Sequence, residues 1–230
     1  MKPIKRFPES KPRERGFSLI ETMAAVFILT VVVGAVFQQI SKAQQAYRVE
    51  GQRLDLTQEQ RTFIDQFTRD LHQAGYPSTY SFNNLAGPTA NSTAAGLTSI
   101  STTSLTLEGD MDGSGVVQVV TYAYNDGSGF SGSGTNPCPC MQRSIAPKGQ
   151  AAGTPSIAAQ NIVAPGASGV FTAFLVDGCT VDISSAVVAP ATLHTIKSVQ
   201  VAFTLQSAGK GVDGTPIQVG MTGTARLPNN

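Results

Sequence analysis

Histidine is nearly missing from this 230-residue chain, and most of the side chains that bind transition metals or shuttle protons at neutral pH go with it. His72 and His194 are the only two; neither belongs to a recognisable ligand motif, and His72 reads as helix surface. No Gly-Lys-Ser/Thr phosphate loop and no Gly-x-Ser-x-Gly nucleophile elbow occurs, so an enzyme is not expected. Charge is scarce as well: Asp, Glu, Lys and Arg make up 13% of residues, about half the usual globular share. Tryptophan is absent, whereas glycine reaches 23 residues and apolar side chains 41%. The composition fits neither a disordered acidic tail nor a polytopic membrane protein, and points to a β-rich chain destined for export or display.

A basic surface is missing too. Residues 1–16 carry six Lys and Arg against Glu9 and Glu14, a formal charge of +4, and the remaining residues sum to −3. The positive excess therefore sits in a short flank and not on a folded body, which removes support for nucleic-acid binding. That flank leads directly into an apolar run. From Thr22 to Ser41 there are 20 residues without a charge, enough at 1.5 Å per residue to cross a hydrocarbon core of about 30 Å. Basic residues before the run keep the N-terminus cytoplasmic and send the C-terminal part outward. A cleavable secretory signal would have a shorter apolar region ending in an Ala-x-Ala site, whereas this run passes without a turn into Gln38–Tyr47. A plain single-pass anchor is the other rival.

Glu21 speaks against the plain anchor. A carboxylate in an apolar segment is costly unless paired, and no basic side chain follows within one turn. A cut after Gly16 would create an α-amino cation on Phe17, four residues before Glu21, available to pair within one subunit or between neighbours. Arg15-Gly16-Phe17-Ser18-Leu19-Ile20-Glu21, together with the basic flank and the apolar run, resembles the type IV pilin and pseudopilin family. The resemblance implies a class III leader cleaved by prepilin peptidase after Gly16, methylation of the Phe17 amine, and a role for Glu21 in assembly by neutralising the terminal amine of a neighbouring subunit. The 16-residue leader leans away from the short-leader major pilins.

The helical pattern continues past the membrane run. Between Ile40 and Ala74 there is no Pro and only Gly51 as a weak point. Leu56, Phe63, Phe67, Leu71 and Ala74 recur at spacings of 7, 4, 4 and 3, one stripe of a helix that should bury itself against a sheet. Arg53, Glu59, Arg61, Asp65, Arg69 and Asp70 are assigned to the solvated face. Gly75 reads as a left-handed cap and Pro77 as a stop, so the helix spans 17–74, about 87 Å if straight. The Arg69-Asp70-Leu71-x-x-Ala74-Gly75-Tyr76 ending resembles minor pilins of the PilW kind and minor pseudopilins of the GspJ kind.

Residues 78–104 read as an irregular connection, and Gly/Pro/Ala/Ser-rich stretches at 125–137 and 146–169 as surface loops. Strands are expected at Ser104–Glu108, Val116–Tyr124, Val170–Val176, Leu193–Leu205 and Ile217–Leu227. Val199, Val201, Phe203 and Leu205 alternate cleanly, so that strand should turn one face to the helix stripe. The fold class is α+β and pilin-like: one long N-terminal helix against an antiparallel β-sheet. Four segments follow: leader 1–16, transmembrane or filament-core helix 17–41, amphipathic continuation 42–75, and external β-rich domain 76–230.

Three cysteines, Cys138, Cys140 and Cys179, lie in a compartment that permits disulfides. Cys-Pro-Cys matches neither the redox Cys-x-x-Cys nor a usual zinc pair. The pilin-like resemblance favours Cys179 bonded to Cys138 or Cys140; a Cys138–Cys140 bond would close a strained loop. Asp110-Met-Asp112-Gly-Ser-Gly115 offers Asp110 and Asp112 as calcium ligands, but no acid stands at Thr121 to complete a twelve-residue loop. Asp-Gly is also an ordinary hairpin turn, and the turn is the preferred reading. Asp126 and Asp177 are the outlying metal candidates. No cofactor is expected beyond that possible calcium ion. Asn91-Ser92-Thr93 fits the glycosylation sequon, a tripeptide that also arises by chance.

The resemblance implies a minor pilus subunit that takes part in pilus assembly or initiation and in pilus-dependent adhesion, motility or DNA uptake. It is inserted as a single-pass inner-membrane precursor with a cytoplasmic N-terminus and then placed in a periplasmic or cell-surface filament. Its partners would be other pilins or pseudopilins, the prepilin peptidase/methyltransferase and the inner-membrane assembly platform. A minor pseudopilin of type II secretion is the near alternative. A membrane-anchored adhesin or binding domain is the second, meeting its ligand through loops 78–104 or 125–169.

Overall fold

The computed structural model describes residues 16–78, 91–128, 138–166, 169–184, 188–211 and 213–228. The basic flank, residues 79–90 of the connection read after the helix and residues 129–137 of the next loop lie outside them. The main helix, α1, spans Leu19–Gln73, close to the expected 17–74. The chain divides into two compact units, Met1–Tyr47 and Arg48–Asn230.

In the first unit α1 carries no partner: every described residue is exposed, including Phe17, Phe27 and Phe37. Thr22 and Thr30 hydroxyls donate to the Leu19 and Val26 carbonyls, each at 2.8 Å, so these polar groups are satisfied by the helix itself. The helix is long and apolar enough there to cross a membrane.

In the second unit the expected stripe is buried, with Leu56, Phe63, Phe67, Leu71 and Ala74 all in the core. Gly75 takes φ 80°, the left-handed conformation that ends a helix, and its N–H donates to the Glu108 carbonyl at 2.8 Å.

Two antiparallel five-stranded sheets receive that stripe. The first is a meander, β1 (Gly96–Ile100), β2 (Ser104–Gly109), β3 (Gln118–Asn125), β4 (Cys140–Pro147) and β5 (Ser156–Ala159), paired in chain order. The second runs β10 (Pro216–Arg226), β9 (Ser198–Lys210), β7 (Phe171–Phe174), β8 (Thr180–Val181), with β6 (Ile162–Val163) also paired to β9. A one-turn helix, α2 (Pro190–Leu193), precedes β9. Thr102, in the β1–β2 turn, accepts the Val170 and Phe171 N–H groups and so ties the sheets together.

Aromatic side chains join the three layers. Phe63 meets Tyr122 of the first sheet at 5.9 Å and Phe203 of the second at 5.3 Å between ring centroids, both edge-on. Phe67 meets Tyr122 edge-on at 5.4 Å and Phe171 stacked at 6.1 Å. Edge-to-face and offset contacts of this kind add to the burial of the rings. In β9, Val199, Val201, Phe203 and Leu205 point inward as their alternation predicts.

The strand pattern departs from expectation in particular places. β1 lies in the segment read as irregular, and β4, β5 and β6 lie in or beside those read as loops, where Ser, Thr and Ala dilute the apolar signal. Leu193 ends α2 instead of opening a strand, and β9 runs on to Lys210. Asp70 is the main correction among side chains: assigned to the solvated face, it is 1% exposed. It falls seven residues after Phe63 and three after Phe67, which puts it on the buried stripe.

Candidate functional site

Gly16, Phe17 and Ser18 precede α1, and Glu21 is its third residue. The Ser18 carbonyl accepts the N–H groups of Glu21 at 3.0 Å and Thr22 at 3.2 Å, which starts the helix there. Glu21 thus stands in the first turn, where unpaired N–H groups and the positive end of the helix dipole favour a carboxylate. Phe17 is 79% exposed, so the bond before it is open to a protease. Nothing in the described chain demands glycine at position 16: a Cβ built there meets no atom within 4 Å. If a glycine is required, the requirement comes from whatever acts on this bond.

Residues 11–37 match the family described as "Prokaryotic N-terminal methylation motif". The chain carries a prepilin-type N-terminus. That motif implies processing by a prepilin peptidase/methyltransferase. The single long helix packed against antiparallel sheets is the α+β, pilin-like architecture expected from the sequence. No curated protein and no solved structure is found to match the chain.

Below the prepilin-type segment, α1 is held to its domain by a buried polar network absent from the sequence reading. Asp70 Oδ1 accepts Gln66 Nε2 at 2.7 Å, and its Oδ2 accepts the Tyr122 hydroxyl at 2.7 Å and Arg143 Nε at 2.8 Å. Arg143 is an inward residue of β4, its side chain 18% exposed, with its guanidinium 6.0 Å from the Tyr122 ring centroid. Burial works to lower the Arg143 pKa, but the hydrogen bond and charge of Asp70 outweigh it and hold the guanidinium above its ordinary value. Burial, followed by the Asp70 charge and hydrogen bond, pushes the Tyr122 hydroxyl far above its ordinary value. The network pins the last turns of the helix to two strands of the first sheet. A buried ion pair costs desolvation to form and is expensive to break from one side.

Gln60, also buried, donates Nε2 to the Val219 carbonyl at 2.9 Å and ties the helix to β10. Of the remaining polar residues expected on the outer face, Arg53, Arg61, Asp65 and Arg69 are exposed. Glu59 is half-buried and accepts the Gln160 N–H at 2.6 Å.

The cysteines do not pair as the resemblance favoured. The disulfide joins Cys138 to Cys140, with Cα atoms 4.3 Å apart, and Cys179 is a free, exposed thiol. The pair opens β4 in the first sheet, whereas Cys179 lies just before β8 in the second. The Asp177 carboxylate, by hydrogen bond and charge, raises the Cys179 thiol above its ordinary pKa.

Asp110 and Asp112 occupy the β2–β3 turn as the hairpin reading expects. Asp112 Oδ1 accepts the Ser114 N–H at 3.0 Å, and Asp110 Oδ2 accepts the Gly115 N–H at 2.8 Å. Hydrogen bonds from Ser114 hold the Asp112 carboxyl below its ordinary pKa. Asp126 and Asp177 each accept an N–H two residues on, from Ser128 at 2.8 Å and Cys179 at 2.9 Å. Among the described residues no three His, Cys, Asp or Glu side chains gather. Of the described sequon residues, Thr93 accepts a hydrogen bond from Lys148 Nζ at its main-chain carbonyl, at 2.9 Å.

Proposed function

We propose that the protein is a minor structural subunit of a type IV pilus, acting in pilus assembly or initiation and thereby in pilus-dependent adhesion, motility or DNA uptake. The observation that carries this reading is the coincidence, within residues 11–37, of the methylation motif with a helix that is apolar, exposed and unpartnered. In this reading the peptidase cuts between Gly16 and Phe17, the Phe17 amine is methylated, and Glu21 neutralises a neighbouring subunit's amine during assembly. Residues 17–41 cross the inner membrane with the leader in the cytoplasm and later pack against other pilins, while 42–75 carry the external domain, 76–230. The chemistry is done to the chain, not by it.

N-terminal mass analysis of protein taken from its native envelope, with and without the prepilin peptidase, tests the proposal. A chain that begins at methylated Phe17 only when the peptidase is present is the expected result. An intact leader in both strains would return the protein to a single-pass anchored domain.

A further inference from the structure

Asp110 is a buried carboxylate with one oxygen that no described residue binds. The residue is 7% exposed, and its Oδ2 is held by the Gly115 N–H, which turns the carboxylate into the β2–β3 turn. Its Oδ1 is buried with no hydrogen-bond donor among the described residues. The two ion pairs of the described residues, Asp70 with Arg143 and Glu108 with Lys148, bring no cation to it. A buried carboxylate left in this state calls for a positive partner.

Two more buried oxygens without donors belong to residues around the same turn, Gln73 Oε1 and Gln118 Oε1. Gln73 is the last residue of α1, and its main-chain carbonyl oxygen lies 2.5 Å from where a Cβ at Gly109 would stand, so only glycine lets the helix end approach β2 this closely. Gln118 faces Gly109 in the β2–β3 register and spends its Nε2 on Asp112 Oδ2 at 2.9 Å, which leaves its carbonyl oxygen as an acceptor. The Tyr76 carbonyl accepts the Asp110 N–H at 2.8 Å, so the carboxylate sits beside the carbonyl end of a 55-residue helix, the negative end of its dipole. Helix end, strand and turn thus each carry a buried oxygen with no hydrogen-bond donor among the described residues.

We propose that the β2–β3 turn binds one hard divalent cation, calcium by its ligand chemistry, through the carboxylates of Asp110 and Asp112 with amide oxygens of Gln73 or Gln118. An all-oxygen set without imidazole or thiolate suits calcium over transition metals. Two carboxylates, one of them exposed, place the affinity with the weak extracellular sites, a Kd of about 10⁻⁴ to 10⁻³ M. The bound ion supplies the charge that Asp110 lacks and locks the turn to the end of α1. This inference does not depend on the pilus reading.

Calorimetric titration of the purified full chain in detergent with calcium chloride tests it, alongside Asp112→Asn, Asp110→Asn and Asp213→Asn. Saturable 1:1 binding is expected for the parent chain, about tenfold or more weakened in Asp112→Asn. Asn at 112 keeps an oxygen for the Ser114 N–H, so that exposed variant stays folded while it removes one carboxylate, and with it the acceptor of Gln118 Nε2, from the site. Asp213→Asn, in the exposed β9–β10 turn, should bind as the parent does. Asp110→Asn should abolish binding; if it fails to fold by circular dichroism, Asp112→Asn decides. No saturable binding up to about 10 mM, well above the weak-site range, would overturn the proposal, as would an unchanged Kd in Asp112→Asn.

Discussion

In the membrane or filament setting proposed for α1, a carboxylate at position 21 is costly unless something positive meets it, because the neighbouring side chains are apolar. Glu21→Ala should therefore leave cleavage intact and lower incorporation into filaments by about tenfold or more, the equivalent of about 1.4 kcal/mol. Quantitative immunoblotting of sheared filaments against whole cells measures it, and wild-type incorporation would remove Glu21 from the assembly contact. Tyr122 makes a different prediction. Burial and Asp70 raise its pKa, so the folded chain keeps this proton to higher pH than the unfolded chain, which releases it near pH 10. The stabilisation is full below about pH 10 and is lost as pH rises further, at no more than about 1.4 kcal/mol per pH unit. Tyr122→Phe should lose about 1.5–3 kcal/mol with its hydrogen bond to the charged Asp70, yet fall less steeply between pH 9 and pH 11 in chemical denaturation. An equally steep fall in that variant would acquit Tyr122. At Cys179, a maleimide should label one thiol per native chain, and peptide mapping should place the label there. A label on Cys138 or Cys140 instead would restore the pairing that the pilin resemblance favours.

At the scale of elements, α1 is held by the side chains that point from it into both sheets. Phe67 is fully buried and touches Phe63, Tyr122 and Phe171, rings that come from the helix and from each sheet. Phe67→Ala should cost about 3–5 kcal/mol, read as a shift in denaturation midpoint, because the cavity lies where three elements meet and none can close over it alone. A loss below about 1 kcal/mol, within the range of surface substitutions and minor core trimming, would mean that the helix repacks. β4 shows why some strands are harder to read than others. Its inward position 143 carries a guanidinium, so the apolar alternation breaks where the strand meets Asp70.

At the scale of the molecule, the two units differ in what stabilises them. Arg48–Asn230 contains every buried residue among those described, whereas every described residue of Met1–Tyr47 is exposed. A fragment of residues 48–230 should fold on its own and unfold in a single cooperative transition, followed by circular dichroism and denaturant titration. A fragment starting at residue 76 should not, because it lacks Phe63, Phe67, Leu71 and the Asp70 carboxylate while keeping the apolar sheet faces that they cover. Cooperative folding of the shorter fragment would show that α1 is an accessory and not the centre of the core.

Local information was enough for several features. The apolar run, the methylation motif within residues 11–37 and the Gly75-Tyr76-Pro77 stop are written in consecutive residues, since membrane length, motif spacing and helix capping are properties of neighbours along the chain. The stripe from Leu56 to Ala74 and the alternation of β9 were legible for the same reason, because a regular period projects onto one face. Asp70 with Arg143, Gln60 with Val219, the Cys138–Cys140 bond and the sharing of strands between two sheets were decided only in three dimensions. Each depends on a partner supplied by another element or on a choice between equivalent partners. A charge looks like a surface residue until its counter-charge, 73 positions away, is folded against it.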